Sequence, residues 1–182
     1  MDNGASSYRR YLDGDESAFD EIVKELFDHL VFFVDRYVND YHAAEDIAID
    51  AFADLVVHRN RFNFKVQLKT YLFMIGRSRA LNYIKRRKRI VMEPLSEADY
   101  AEDGATLEQR LLEDERKRAV SHALAQLPED MRSAVHLKYF EGLSYEETAR
   151  VMKKTKKQVD NLLYRAKKAL RATLGEEGAN LL

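Results

Sequence analysis

The sequence predicts an all-α protein of two small helical domains joined by an acidic linker, the C-terminal one a helix-turn-helix. Three observations predict it. Apolar residues recur at three- and four-residue steps along most of the 182-residue chain, and no stretch keeps the two-residue alternation of a strand. The two prolines and two of the seven glycines, Pro94, Gly104, Pro128 and Gly142, fall between periodic segments. Charge is segregated although the formal net charge is only −1. Residues 85–89 are five consecutive cations, and residues 93–115 then hold nine acids against Arg110 alone. Residues 153–171 hold eight cations around one acid, Asp160.

Composition removes several function classes. With 46% hydrophobic residues the chain can build helical cores. The absence of cysteine excludes disulfides and thiolate metal sites and fits a reducing compartment. The five histidines are scattered, with no pair at a metal-ligand spacing, and no glycine-rich phosphate loop is present. The start, MDNGASSYRRYLDGDES, lacks the apolar run of a secretory signal, and no apolar run reaches membrane-spanning length. The expectation is a cytoplasmic, non-catalytic protein without cofactor, metal or membrane insertion.

Taken in order, residues 17–38 place Phe19, Ile22, Val23, Leu26, Phe27, Leu30, Val31 and Val34 at helical steps. Residues 41–57 do the same with Ala44, Ile47, Ala48, Ala51, Phe52 and Leu55. On the opposite face of this second helix stand Asp46, Asp50 and Asp54, beside Ala53 and Val57. Like charges four residues apart slightly destabilise a helix, so a basic partner is expected there, unless the face is simply solvated. Residues 59–69 break the pattern as a loop or short helical turns, and Thr70 is read as the cap of a long helix to about Arg89. On that helix Leu72, Phe73, Gly76, Ala80, Tyr83 and Ile84 share a face for burial. Tyr71, Ser78, Asn82, Lys85, Arg86 and Arg89 lie roughly opposite, an arrangement in which an aromatic ring could stack on unpaired bases while cations hold the backbone.

Residues 90–105, IVMEPLSEADYAEDGA, have weak periodicity and mark the boundary. The domains are thus expected at 1–91 and 106–182, with 92–105 as linker. Residues 106–127 read as helical, Pro128 suits a helix start, and Gly142 ends the helix that follows. Ser144-Tyr-Glu-Glu147 and Thr155-Lys-Lys-Gln158 are two capping-box patterns. They predict two helices separated by a Lys153-Lys154-Thr155 turn, the helix-turn-helix form. The last helix buries Val159, Leu162, Leu163, Ala166 and Leu170. It turns Lys157, Asn161, Tyr164, Arg165, Lys168 and Arg171 outward, as a recognition helix requires. Lysines suit phosphates, and Asn161 suits adenine.

The segments YHAAEDIAIDAF, TYLFMIGRSRALNYIKRRKR, LPEDMRSAVHLKYFEGLSYEETARVM and LLYRAKKALR together resemble bacterial RNA polymerase sigma factors of the extracytoplasmic-function (ECF) group. The resemblance runs from about Phe19 to Leu174 and implies several roles. The 1–91 domain would bind core RNA polymerase and the −10 promoter element, and the 106–182 domain the −35 element. Asp46, Ile49, Asp50, Ala53 and Asp54 would meet the clamp helices of the largest subunit, and the second domain the flap. Asn60, Phe62, Phe64, Tyr71, Ser78, Asn82, Lys85 and Arg86 would engage the −10 element and help melt it. Lys156, Lys157, Asp160, Asn161, Tyr164, Arg165 and Lys168 would read the −35 element. The acidic linker would run through the polymerase cleft, and an anti-sigma factor would be the regulator. The sequence departs from the family pattern at Ile49 (commonly glutamine), Tyr71 (tryptophan), Ser78 (asparagine), Asn82 (aspartate) and Lys153 (glycine), so promoter sequence does not carry over.

Two other functions compete. A sigma-like decoy that only binds an anti-sigma factor would have no use for cations on both DNA-facing helices. An enzyme would need a catalytic constellation around carboxylates such as Asp46 or Asp50, and the sequence offers neither a histidine pair at a ligand spacing nor a glycine-rich phosphate loop.

Overall fold

The computed structural model describes residues 4–90 and 119–178, and every regular element among them is helical. The first group comprises α1 (Ala5–Leu12), α2 (Ser17–Val38), α3 (Tyr41–Val57), a 3₁₀ turn (Arg59–Arg61) and α4 (Leu68–Ile90). The second comprises α5 (residues 119–125), α6 (Glu129–Val135), a π-helical turn (His136–Phe140), α7 (Tyr145–Met152) and α8 (Lys156–Gly178). The expected linker, 92–105, and the start of the expected 106–127 helix lie outside the described residues.

The periodic apolar positions become the core of the first group. α2 buries Ile22, Leu26, Leu30, Val31 and Val34, α3 buries Ala44, Ile47, Ala48, Ala51 and Leu55, and α4 buries Leu72, Phe73 and Ala80. Gly76 lets α4 approach α2 closely: a Cβ there would lie 2.7 Å from Leu30 Cδ1 and 3.2 Å from Val34 Cγ2. Asp40 caps α3 by accepting the Ala43 N–H at 3.1 Å, and Asn39 makes the preceding bend in the left-handed region.

Three elements differ from the sequence reading. The helix α1 is absent from it, because eight residues with only Tyr8 and Tyr11 as large buried side chains give too little periodicity. Tyr8 ties α1 down, its hydroxyl donating to Leu55 O at 3.0 Å and Arg59 O at 3.2 Å. Burial pushes this phenol up to about 12. Thr70 is not the α4 cap. The helix starts at Leu68, and Thr70 is fully buried with its hydroxyl donating to Glu147 Oε1 across the molecule at 3.1 Å. The helix that Gly142 ends is α-helical only to Val135, then widens into the π turn, with Gly142 at φ +70°.

In the second group both capping patterns form. Ser144 Oγ accepts from Glu147 N at 3.2 Å while Glu147 Oε2 accepts from Ser144 N at 2.8 Å. Thr155 Oγ1 accepts from Gln158 N at 3.2 Å and Gln158 Oε1 accepts from Thr155 N at 2.8 Å. Between them Lys153 takes the left-handed conformation (φ 53°) that glycine adopts without steric penalty. Gly175, with non-helical angles, breaks α8 near its end.

The two groups pack on each other. Glu141, with its side chain 2% exposed, lies 2.8 Å from Lys69 Nζ, 3.0 Å from His29 Nδ1 and 3.0 Å from His136 Nε2. The Lys69 contact to Oε2 lies off hydrogen-bonding directions and acts through charge, whereas Lys69 Nζ donates cleanly to Glu141 O at 3.0 Å. Phe33 stacks on the His136 ring, which stacks on Phe140, with centroids 5.7 and 5.6 Å apart. Arg150 donates to Lys65 O at 3.3 Å.

Candidate nucleic-acid and polymerase interfaces

The outer face of α8 is laid out as the periodicity predicts. Val159, Leu163, Ala166 and Leu170 are buried against the domain, and Leu162 is half-buried. Lys156, Lys157, Asp160, Asn161, Tyr164, Arg165 and Lys168 are all exposed, Tyr164 at 70%. A large aromatic ring held in water by its helix is an unspent contact surface. Lys156 is bound to Glu146 of α7 at 2.5 Å, and that carboxylate raises the ammonium pKa. Lys154 pairs with Asp130 at 2.9 Å. These two lysines therefore help fix the turn between α7 and α8, while the exposed Lys157 and Asn161 project from the first turns of α8.

On α4, Ser78, Asn82, Lys85 and Arg86 are exposed along one side, and Tyr71 is half-buried at its head. The loop before it corrects the sequence reading. Phe62, expected to face DNA, is 3% exposed and belongs to an aromatic cluster with Tyr8, Phe64 and Tyr71, at centroid distances of 5.5, 4.7 and 5.2 Å. Burial is favoured there because Tyr8 closes over it from α1, an element the sequence did not reveal. Phe64 is half-buried at φ 58°, with the Arg9 guanidinium 4.8 Å above its ring. Asn60 remains exposed on the 3₁₀ turn. Desolvation raises the Tyr71 phenol, which keeps it neutral and suited to stacking rather than to charge.

The acidic face of α3 has a basic partner inside the chain. Arg79 of α4 donates through Nη1 to Asp50 Oδ2 at 2.9 Å and through Nη2 to Asp54 Oδ2 at 2.6 Å. Asp54 also lies 3.4 Å from His58 Nδ1. Relief of the like-charge spacing thus comes first from Arg79, a residue the sequence reading passed over although it sits in the middle of α4. Asp46 stays exposed, and Asp50 keeps 64% of its side chain in water. Beside them runs an apolar strip in which Ile49 is 55% and Val57 72% exposed, with Ala53 exposed between them. Isolated exposed aliphatics are ordinary, but three along one acidic helix form a patch of the kind that marks a protein contact. Among the described residues no group of three or more histidines and carboxylates could hold a metal ion.

With this geometry in view, the comparisons are decisive. Residues 22–90 match the family model for sigma-70 region 2, and residues 117–170 that for sigma-70 region 4. The chain is 32% identical over 166 residues to the RNA polymerase sigma-H factor of Pseudomonas aeruginosa, covering 86% of each. It belongs to the ECF sigma factors. The ECF RNA polymerase sigma-E factor of Escherichia coli K12 is 30% identical over 168 residues, again with 86% of each chain covered. In fold this sigma factor is similar to the sigma factor RpoE of Bartonella quintana, solved with the anti-sigma factor NepR. The TM-score is 0.67 at 22% identity, over 87% of this chain and 98% of that one. CnrH, solved with the cytosolic domain of CnrY, gives 0.61 at 22% identity, covering 94% of each chain. The α3–α4 surface lies in the region 2 match and the α7–α8 surface in the region 4 match. The family is one of transcription regulators. No described helix of this sigma factor is long and apolar enough to cross a membrane.

Proposed function

We propose that this sigma factor joins core RNA polymerase through α3 and directs it to promoters by reading a −10 element with α4 and a −35 element with α8. The observation that carries the reading is the outward display of polar and cationic side chains on two helices whose other faces are buried. Lys157, Asn161, Tyr164, Arg165 and Lys168 reach toward the major groove. Asp160, also exposed, would accept a hydrogen bond from a cytosine amino group. On α4, Tyr71, Ser78, Asn82, Lys85 and Arg86, together with Asn60, receive the −10 element. Melting follows from capture of unpaired bases: stacking on Tyr71 and contacts from the α4 cations favour the open strand, so binding free energy replaces a chemical step. The polymerase surface is Asp46, Ile49, Asp50 and Ala53, facing the clamp helices, with the second domain against the flap. Asp54 contributes through Arg79. An anti-sigma factor, as in the complexes of the structural relatives, is the expected regulator.

The test is transcription in vitro with core polymerase and fragments of the parent genome. Asp46→Lys should abolish polymerase capture without lowering the melting temperature. Specific initiation absent from every fragment would end the promoter reading, whatever the binding result.

A further inference from the structure

The loop at 59–67 joins α3 to α4, and α1 holds it at three places. At its start, the Tyr8 hydroxyl is shared between Leu55 O at 3.0 Å and Arg59 O at 3.2 Å, and the Arg59 guanidinium lies 4.9 Å over the Tyr11 ring. At its end, Gly4 meets the first residue of α4, where a Cβ would lie 3.1 Å from Leu68 Cδ2. Between these stems, the Tyr8 ring stands 5.5 Å from Phe62 and 6.2 Å from Phe64, and the Arg9 guanidinium lies 4.8 Å from the Phe64 centroid. One short helix thus ties both stems of the loop and its middle. It lies ahead of the residues that match the region 2 family model, which begin at residue 22.

The middle of the loop is strained. Phe64 sits at φ 58°, a left-handed conformation that a bulky side chain keeps only where its surroundings impose it. Asn63 Oδ1 accepts from Lys65 N at 3.1 Å and closes the turn around Phe64. Phe62 packs against the ring with centroids 4.7 Å apart, and Arg9 reaches it from α1. Tyr8 and Phe62 are buried and belong to the core, whereas Arg9 is exposed and Phe64 half-buried. Arg9 therefore adds little to the core, and what it fixes is the Phe64 ring. Asn60, Arg61 and Asn63 are exposed in the same loop. A ring to stack on a base, amides for the base edge and a cation for the backbone are the parts of a single-strand site.

We propose that α1 is a splint for a base-receiving loop, and that Arg9 is a positioning residue, holding Phe64 as a stacking surface for an unpaired promoter base. The proposal rests on the −10 reading above and adds to it an element outside the matched region. Arg9 acts through Phe64. A ring already held in the receiving conformation spares the incoming base the cost of ordering the loop. The fraction of chains with the loop in place then scales the affinity for the open strand.

The preferred strand is found first, by selection from random single-stranded DNA decamers with holoenzyme assembled from the full chain and core polymerase, core polymerase alone giving the background. The enriched decamer and a shuffled one of the same composition are then the probes. Arg9 is exposed, so Arg9→Ala should leave helix content and melting temperature at wild-type values. It should weaken binding of the enriched decamer about two- to fivefold, the worth of one exposed cation–π contact, with a smaller effect on the shuffled decamer. In the free chain, amide exchange of residues 62–66 should quicken by a similar factor while that of α2 stays unchanged. In a Phe64→Ala background, Arg9→Ala should have no further effect on either decamer, because the ring it positions is gone. Should Arg9→Ala unwind α1, Arg9→Gln carries the same test. No weakening, equal weakening on both decamers as a plain phosphate contact would give, unchanged loop exchange, or additive effects of Arg9 and Phe64 would each overturn the proposal. A wild-type holoenzyme that enriches no decamer would instead remove the −10 reading itself, and the proposal with it.

Discussion

Replacing Arg79 with methionine tests whether the acidic face of α3 is held by the chain itself. The substitution keeps the apolar stem and deletes the fork to Asp50 and Asp54. Asp50 is mostly in water, so its bond is worth about 0.5 kcal/mol. Asp54 has only 25% of its side chain exposed, and its short bond contributes about 1 kcal/mol. Without the guanidinium, the Asp46–Asp50 and Asp50–Asp54 repulsions are uncovered, at about 0.3 kcal/mol each. The sum is about 2 kcal/mol, a fall in melting temperature of about 8 °C or more for a domain of this size.

The assay is thermal unfolding at about 0.05 and 1 M salt, with a double-mutant cycle against Asp54→Asn. High salt should remove the repulsive part and narrow the gap by roughly a third, because screening then acts within about 3 Å. Coupling should be about 1 kcal/mol. Additive effects, or a loss below about 0.5 kcal/mol that ignores salt, would refute the assignment of Arg79 as internal counter-ion. The result also decides how polymerase-binding variants are read. Asp50→Lys breaks the Arg79 contact as well as any docking contact, whereas Asp46→Lys leaves the Arg79 contacts in place.

Removing the α7 cap with Ser144→Ala should destabilise the second domain by about 1 kcal/mol, measured by denaturant unfolding, with Ser144→Gly milder than Ala. Lys168→Ala should weaken DNA binding equally across sequences and lower the salt slope by about one. Asn161→Ala should change base preference at one position in a selection from random duplexes. For Glu141, burial alone would raise the pKa, but His136 and Lys69 outweigh it and hold the carboxyl at about 2. A depressed carboxyl stabilises the folded form above its free value of about 4.5, and that contribution is lost as pH falls toward 2. His136 acts in the same direction, since burial lowers its pKa and acid must charge it against that burial. Thermal stability should therefore fall as pH drops below about 4.5 toward 2 in wild type, and less steeply in Glu141→Gln, as followed by unfolding at a series of pH values.

Helices α2 and α3 were legible in the sequence to the residue, because each carries more than four turns of apolar periodicity bounded by a polar break. The capping boxes were legible for a different reason: Ser144–Glu147 and Thr155–Gln158 satisfy backbone donors locally, so no distant residue alters the outcome. What could not be read was long-range. Phe62 looks like any exposed loop aromatic until Tyr8, more than fifty positions earlier, closes over it. Arg79 reads as one cation among several until α3 and α4 pack and bring Asp50 and Asp54 within reach. Thr70 has the right chemistry for a cap, but the helix gained two residues before it and its hydroxyl went to Glu147 instead.

These cases share a physical pattern that bears on function. Arg79 neutralises Asp50 and Asp54 within the chain, and Glu147 serves both α7 and the seam. In each, a charged group at a proposed docking surface is already partnered within the chain. Partner binding is then an exchange of contacts whose net free energy is small. A small net term lets a modest change, such as polymerase or an anti-sigma factor favouring one arrangement of the domains, shift the population. If Arg79 and Glu141 instead proved energetically silent, docking would be governed by the apolar strip of Ile49 and Val57, and charge reversal at Asp46 would leave polymerase affinity unchanged.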